Sequence, residues 1–496
     1  MCANEILYYL QEHPPRYGPD RGSGGIFGLK YYRGVLYYTL AFEAESFFID
    51  KNGVRLKYRF DQVGGPPVSG GDTYNAVDAV DDKIYFGGWV YAPAPTPKEK
   101  RGRDSFDFKS KYAHVHYYSI DENKVNLVWK ESIGQLDRWV GEVSEIIYNP
   151  VRNELLLARG NGQENLGIYT LDPKGKNPQQ IFGDPVLKGS IVLDYACFAT
   201  YGDRQLSNGF ACVDLYDNKV HSISIANKVE SIDNGSIDKP YTGPTASIYG
   251  RLFAFARGGV FILDALEPEK NPIYFVRLMD IPNSQYRPYR VNAKIIGGGI
   301  LTAYNSFTAG IIKAFNDETR EDKKYLNTIF APTALIYLKP PVVKIVATLG
   351  ARVTSIETIR DKIIVATNTM ANTDMCDTTL MDQGVRSFVI MDQSILYGEN
   401  ELFTAVIPGW YIRDRVFGGI PLNGYSEAQI IVNAKKNNTL YINEYFLTLP
   451  PTSMGSDKVD VTEGRFVLNL DSYKGIVSFR FEKPLLDDET VVISLN

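Results

Sequence analysis

Between about residues 26 and 407 the chain repeats one pattern. An apolar run is followed by a turn of two to four polar residues, a second apolar run, and two further strand-like runs. The first hairpin of the unit is clearest in IFGLKYYRGVLYYTLAF (26–42), YNAVDAVDDKIYFGGWVY (74–91), TASIYGRLFAFARGGVFILDAL (245–266), VNAKIIGGGILTAYN (291–305) and VTSIETIRDKIIVAT (353–367). VSEIIYNPVRNELLLARG (143–160) and IVLDYACFATYGDRQLSNGFACVDL (191–215) follow it less tidily. Short strands in fours, repeating about every 40 to 50 residues, are the signature of a β-propeller. Units beginning near 26, 74, 143, 191, 245, 291 and 353 predict an all-β, seven-bladed ring, with six or eight as the counting alternatives. Repetition then accounts for most of the 496 residues, and the 33 tyrosines suit half-buried strands.

The repeat matches no standard propeller family. None of Trp89, Trp129, Trp139 and Trp410 is followed by Asp, and Gly87-Gly88 does not recur as a kelch motif would. Beyond residue 408 the register changes. AQIIVNAK, TLYINEYFLTL, RFVLNL, IVSFRFEKPL and TVVISLN predict a β-sandwich-like C-terminal domain over 408–496, after a propeller at 26–407. Residues 1–25 read as an arm whose ILYYL is expected to complete the last blade.

A propeller's first strands line its central channel. Lys30, Asp78, Ser247, Lys294 and Glu357 each precede an apolar second-strand residue by six positions (Leu36, Ile84, Phe253, Ile300, Ile363). Glu145 and Asp194 hold comparable places in the two irregular units. Period-two alternation puts each on one face, so together they predict an axial ring of two lysines, four carboxylates and one serine. Such a ring is what a water-filled channel requires of its lining. It is also where paired carboxylates such as Asp78, Glu145, Asp194 and Glu357 could act as acid and base.

Three units carry long insertions between their second and third strands, at 92–111, 306–331 and 368–384, which would wall one mouth of the channel. Loops of that length on a rigid scaffold usually carry function. Arg138, Trp139 and Glu142 lie in an inter-blade loop beside that mouth, and Arg287, Tyr289 and Arg290 fall at the equivalent place before blade 6. Together they predict a mixed-charge, aromatic rim suited to stacking on a ligand.

Other chemistry is sparse. His114 and His116 face one way on a strand, but two nitrogens make a weak metal candidate and edge packing is the simpler reading. No Walker loop, nucleophile elbow, zincin motif or dinucleotide fingerprint occurs, and no cofactor is expected. A net charge of −5 advertises no nucleic-acid partner. MCANEILYYL lacks the regions of a secretory signal and no window is apolar enough to span a bilayer, so a cytoplasmic protein is expected. Cys197 and Cys212 flank a turn and could face each other across a hairpin; a cytosolic setting favours two unpaired thiols.

The stretch PPRYGPDRGSGGIFGLKYYRGVLYYTLAFEAESFF, with the repeat behind it, resembles an uncharacterised family of thermophilic archaeal proteins, a domain of unknown function. The resemblance transfers no catalytic residue. It implies a thermophilic cytosol, where a Cys197–Cys212 bridge is more plausible. Three functional readings follow from the residues. The leading one is a non-catalytic binding protein that holds a protein or small ligand over the insertion-bearing mouth. The others are a carbohydrate-active hydrolase or lyase using channel carboxylates, and a structural subunit whose C-terminal sheet makes homo-oligomers.

Overall fold

The computed structural model describes residues 4–14, 25–41, 45–60, 70–72, 75–91, 108–226, 228–267, 270–282, 286–306, 330–369 and 385–496. Among these, the strands between 26 and 392 form seven sheets, built mainly as antiparallel meanders in chain order; in the fifth, Val229–Ser231 adds in parallel beside Ile273–Arg277, and in the second both Gly70–Asp72 and Val77–Val80 pair with Lys83–Tyr91. We number these sheets 1 to 7. Their innermost strands are β1 (Ile26–Tyr32), β2 (Val77–Val80), β3 (Glu142–Asn149), β4 (Val186–Val192), β5 (Thr242–Ile248), β6 (Lys294–Ile296) and β7 (Ala351–Ile359). The architecture is all-β and propeller-like.

Each sheet is apolar on both faces, because each is covered on both sides by a neighbour. Val35, Tyr37 and Phe48 of sheet 1 pack on Ile84, Phe86 and Tyr118 of sheet 2. Separate apolar layers fill the 2–3, 3–4, 4–5 and 6–7 junctions. Ile359 and Ile364 of sheet 7 return against Ile26 and Leu36 of sheet 1, closing the circuit. Tight turns join each innermost strand to the next; Gly297 and Gly298 both have positive φ, as a two-residue hairpin turn of this hand demands.

A register shift recurs at one place in β1, β3, β4, β5 and β7. In two of these strands the displaced residue reaches across to the next sheet. In β3, Ser144 Oγ donates to Ala158 O (3.2 Å) of its own sheet and to Val186 O (3.1 Å) of sheet 4. In β7, Thr354 Oγ1 contacts Ala366 O (3.3 Å) of its own sheet and Ile26 O (2.7 Å) of sheet 1. The closing joint is thus made with the same latch as an internal one.

ILYYL does not complete sheet 7. Asn4–Tyr9 forms a short 3-10 helix against the outer strands of sheet 1, and Ile6 sinks into the 7–1 layer. Ile6 and Leu10 stand four apart, the spacing of a helical face and not of a strand. The edge of sheet 7 is met instead at His13, which exchanges main-chain hydrogen bonds with Arg386. The buried Arg386 guanidinium also donates to the carbonyls of His13, Pro14 and Ala41.

From Phe403 onward the chain forms two four-stranded sheets, one of Phe403–Pro408, Thr490–Leu495, Ala428–Ala434 and Gly464–Asn469. The other consists of Phe417–Pro421, Ile476–Phe481, Asn438–Phe446 and Thr452–Val461. The first strand therefore begins five residues before the boundary expected from sequence. Both sheets share a core with sheets 5 and 6. Met279 and Asp280 exchange main-chain hydrogen bonds with Gly418 and Gly419, and buried Arg277 pairs with Asp233 (2.7 Å) and Asp280 at the same junction.

Candidate functional site

The innermost strand of every sheet has one edge with no strand beside it, and an unpaired backbone edge is unfavourable where it is buried. Side chains of the neighbouring sheet satisfy these groups. Asn292 Oδ1 accepts from Ile356 N (2.7 Å) while its Nδ2 donates to Ile356 O (2.8 Å). Asn305 makes the same double contact with Val353, at 2.8 and 2.9 Å. Asn75 accepts from Gly28 N (2.7 Å) and donates to Thr354 O (3.0 Å).

The axial carboxylates work in the same way. Asp78 accepts from Tyr148 N (2.9 Å) on β3, and Glu357 from Tyr31 N (3.2 Å) on β1. Each also meets a lysine across the gap between sheets: Asp78 meets Lys30 at 3.4 Å, and Glu357 is ion-paired to Lys294. A third pair, Glu145 with Lys188 (3.4 Å), joins β3 to β4. Glu145 differs from the others. Its one backbone partner among the described residues is the adjacent Ile146 N (3.3 Å), so it caps no backbone group of a neighbouring sheet. Burial pushes its carboxyl up to about 7, opposed by Lys188 and reinforced by the Asp78 charge.

These side chains line one cavity of about 370 Å³ whose wall draws on all seven sheets. Lys30, Asp78, Glu145, Ser247, Lys294 and Glu357, six of the seven residues expected on the axis, are in that wall. Asp194 is not. β4 ends at Val192, and Leu193 takes a positive φ to start the turn, leaving Asp194 exposed there. Ser190 holds the register position that Asp194 was assigned, paired with Cys197 as Lys30 is with Tyr37. Its Oγ bonds Thr245 Oγ1 (3.0 Å). Lys188, within the β4 shift, supplies a third axial cation that alternation alone does not reveal.

The cavity lies toward the turn side of the ring. Lys30, Asp78, Ser190, Lys294 and Glu357 each stand three residues before a tight turn, with Glu145 and Lys188 deeper. The expected mouth is at the other end, where the second and third strands connect. Most of the three insertions, 92–107, 307–329 and 370–384, lies outside the described residues. On that side, among the described residues, Lys188, Tyr289 and Arg290 help to line a void of about 20 Å³.

Most of the expected rim residues pack into the joints, whereas Arg138 stays exposed. Lys111 Nζ sits 4.3 Å from the ring centroids of both Trp89 and Trp139 and is ion-paired to buried Glu142. Trp139 Nε1 donates to Asn161 O (2.6 Å), and Arg138 pairs with Glu164. Arg287 stacks between Tyr241 (4.1 Å) and Tyr289 (4.5 Å), and Arg290 lies over Tyr289 at 5.5 Å.

His114 and His116 are buried between sheets 1 and 2 among Phe60, Phe86 and Tyr58, with their Nδ1 atoms 3.0 Å apart. Burial holds both neutral, lowering His116 to about 3. No group of three or more metal-ligating side chains occurs among the described residues. Cys197 and Cys212, directly opposed on adjacent strands of sheet 4, form a disulfide, contrary to the unpaired thiols that a cytosolic setting favours.

A family model matches residues 36–376, more than half of the chain. The chain belongs to DUF2139, described as an uncharacterized protein conserved in archaea. This agrees with the likeness read from residues 14–48 and assigns no activity. No curated protein matches the sequence. The solved structures it is similar to include Kuenenia stuttgartiensis hydrazine synthase, at 12% identity and TM-score 0.44, covering 77% of this chain and 98% of that one. Streptogramin B lyase (11%, TM-score 0.38, 77% and 98%) and an exo-beta-1,3-galactanase from Phanerochaete chrysosporium (11%, TM-score 0.30, 84% and 94%) are others. Likenesses this distant say nothing about what a DUF2139 member binds. No helix among the described residues is long and apolar enough to cross a membrane.

Proposed function

We propose that this protein is a non-catalytic binding protein of the cytoplasm. Seven blades closed into a ring, with a sandwich-like C-terminal domain docked on blades 5 and 6, hold a small polar molecule in the axial cavity. The observation that carries this reading is the cavity itself. All seven sheets contribute to its wall, and at about 370 Å³ it falls in the range of small-molecule sites. The hydrolase reading needs two carboxyls free for acid and base work. Asp78 and Glu357 are both committed to a lysine and to the backbone of a neighbouring strand, which leaves Glu145 alone.

The test is differential scanning fluorimetry against small carboxylates, amines, amino acids and monosaccharides. At least one class should raise the melting temperature, and Ser247→Trp, which fills the cavity, should abolish that rise. Equal ligand-induced shifts in the variant and the parent protein would move the site elsewhere.

A further inference from the structure

The polar groups of the cavity differ in how much bonding capacity they have left. Glu357 is the most occupied: Oε1 takes Lys294 and Thr358 N (2.7 Å), and Oε2 takes Tyr31 N. Asp78 holds Lys30, Ala79 N (2.8 Å) and Tyr148 N. Lys188 is engaged by Glu145 and donates to Ser144 O at 2.5 Å. Lys30 and Lys294 are different. Each has one carboxylate partner among the described residues, three N–H donors to offer, and a side chain 28% or 27% exposed. They stand on either side of β7, with Glu357 between them.

Charge and shape add two further constraints. Three lysines face Asp78, Glu357 and Glu145, so the cavity is neutral with Glu145 ionised and carries one net positive charge with Glu145 protonated. Ile191 on β4 and Ile295 on β6 line the same wall yet remain 39% and 52% exposed, an apolar surface beside the lysines that nothing among the described residues covers. At about 30 Å³ per water the cavity holds on the order of twelve waters, enough for an organic molecule of similar heavy-atom count.

We propose that the axial cavity takes a small organic monoanion, its carboxylate seated between Lys30 and Lys294 and its apolar body against Ile191 and Ile295. This rests on the cavity being the ligand site. The monoanion balances the state in which Glu145 carries its proton, so binding takes up a proton. The charged groups facing Glu145 are Lys188 from β4 and Asp78 from β2, both present in either state. A carboxyl titrating near pH 7 is about nine-tenths protonated at pH 6 and about one-tenth at pH 8, so affinity should fall about tenfold between them.

The experiment is isothermal titration calorimetry with three probes of nearly one shape: isobutyrate, isobutyramide and isobutylamine. Succinate serves as the dianion. Isobutyrate is expected to bind tightest, about tenfold more weakly at pH 8 than at pH 6, with proton uptake shown by paired buffers of different ionisation heat. Glu145→Gln should flatten the pH profile, and Lys30→Met or Lys294→Met should each weaken binding at least tenfold. Tighter binding of the amide, amine or dianion, or an affinity that rises with pH, overturns the monoanion assignment, and the parent protein's own pH profile decides this even where a variant fails to fold. If only sugars or amino acids bind, the cavity reading survives and this inference fails. If no class of ligand binds, both fail.

Discussion

Replacing Glu145 by glutamine separates what this carboxyl does for folding from what it does for a ligand. Burial shifts it from an ordinary 4.5 to about 7 despite the cation of Lys188. Below pH 4.5 it is protonated whether the chain is folded or not, and it contributes nothing to the pH dependence. Between 4.5 and 7 the unfolded chain gives up the proton while the folded chain keeps it, so stability falls as pH rises. Above 7 both states are ionised and the loss is complete. At 1.36 kcal/mol per pH unit, the loss attributable to this group is about 3 kcal/mol. Urea unfolding of the parent protein and Glu145→Gln at pH 5 and pH 8 measures it as a double difference. The variant should lack about 2.5 kcal/mol of the decline between these two pH values and should be relatively more stable at pH 8 than at pH 5. Parallel pH profiles for the two proteins would refute the reasoning, because they would mean the carboxyl is solvated or fully compensated in the fold.

Other consequences follow from the joints. Asp78→Asn keeps an acceptor for Tyr148 N and loses an ion pair that is 28% exposed on both sides, so thermal unfolding should change by no more than about 1 kcal/mol. Asp78→Leu orphans that N–H and should destabilise by about 1–3 kcal/mol; equal effects of the two variants would sink the edge-pairing account. Thr354→Val and Ser144→Ala each remove one latch hydroxyl, at a predicted cost of about 1–3 kcal/mol, and chemical denaturation should rank them as similar. Arg277→Leu leaves Asp233 and Asp280 without their buried cation and should cost about 3–5 kcal/mol, read as earlier proteolysis at the C-terminal junction. The bridge between Cys197 and Cys212 spans 15 residues, so reduction should lower stability by about 3 kcal/mol; labelling of Cys197 or Cys212, located by peptide mapping of the unreduced protein, would contradict it.

The repeat was legible because each unit is local. Lys30, Asp78, Lys294 and Glu357 share one offset from their second strands, since two-residue turns keep the register constant. Glu145 was found despite a longer turn, because alternation survives there. The same rule applied to sheet 4 points from Ala196 back to Ser190, but the polar Asp194 next to the strand drew the assignment into the turn. Lys188 was hidden by the register shift. What sequence could not supply was the partner of each side chain: Asn75 serves Gly28 and Thr354, 47 and 279 residues away. Insertion length marked one mouth; on that side Lys111, Trp139 and Arg287 pack into the joints, whereas the residues that line the cavity stand near the turns.

The matching latches at Ser144 and Thr354 have a kinetic consequence. They make equal bonds, but one links residues 42 apart in the chain and the other residues 328 apart. Loop-closure entropy, growing as (3/2)RT times the logarithm of loop length, makes the second about 1.8 kcal/mol harder to form from the unfolded chain. Each meander folds on local contacts, so this seam, which the arm crosses through Ile6 and His13 but which no strand shared by the two sheets bridges among the described residues, is expected to be the last joint made. It should also open first, and hydrogen exchange of amides along β1 and β7 would record that opening before any other junction gives way.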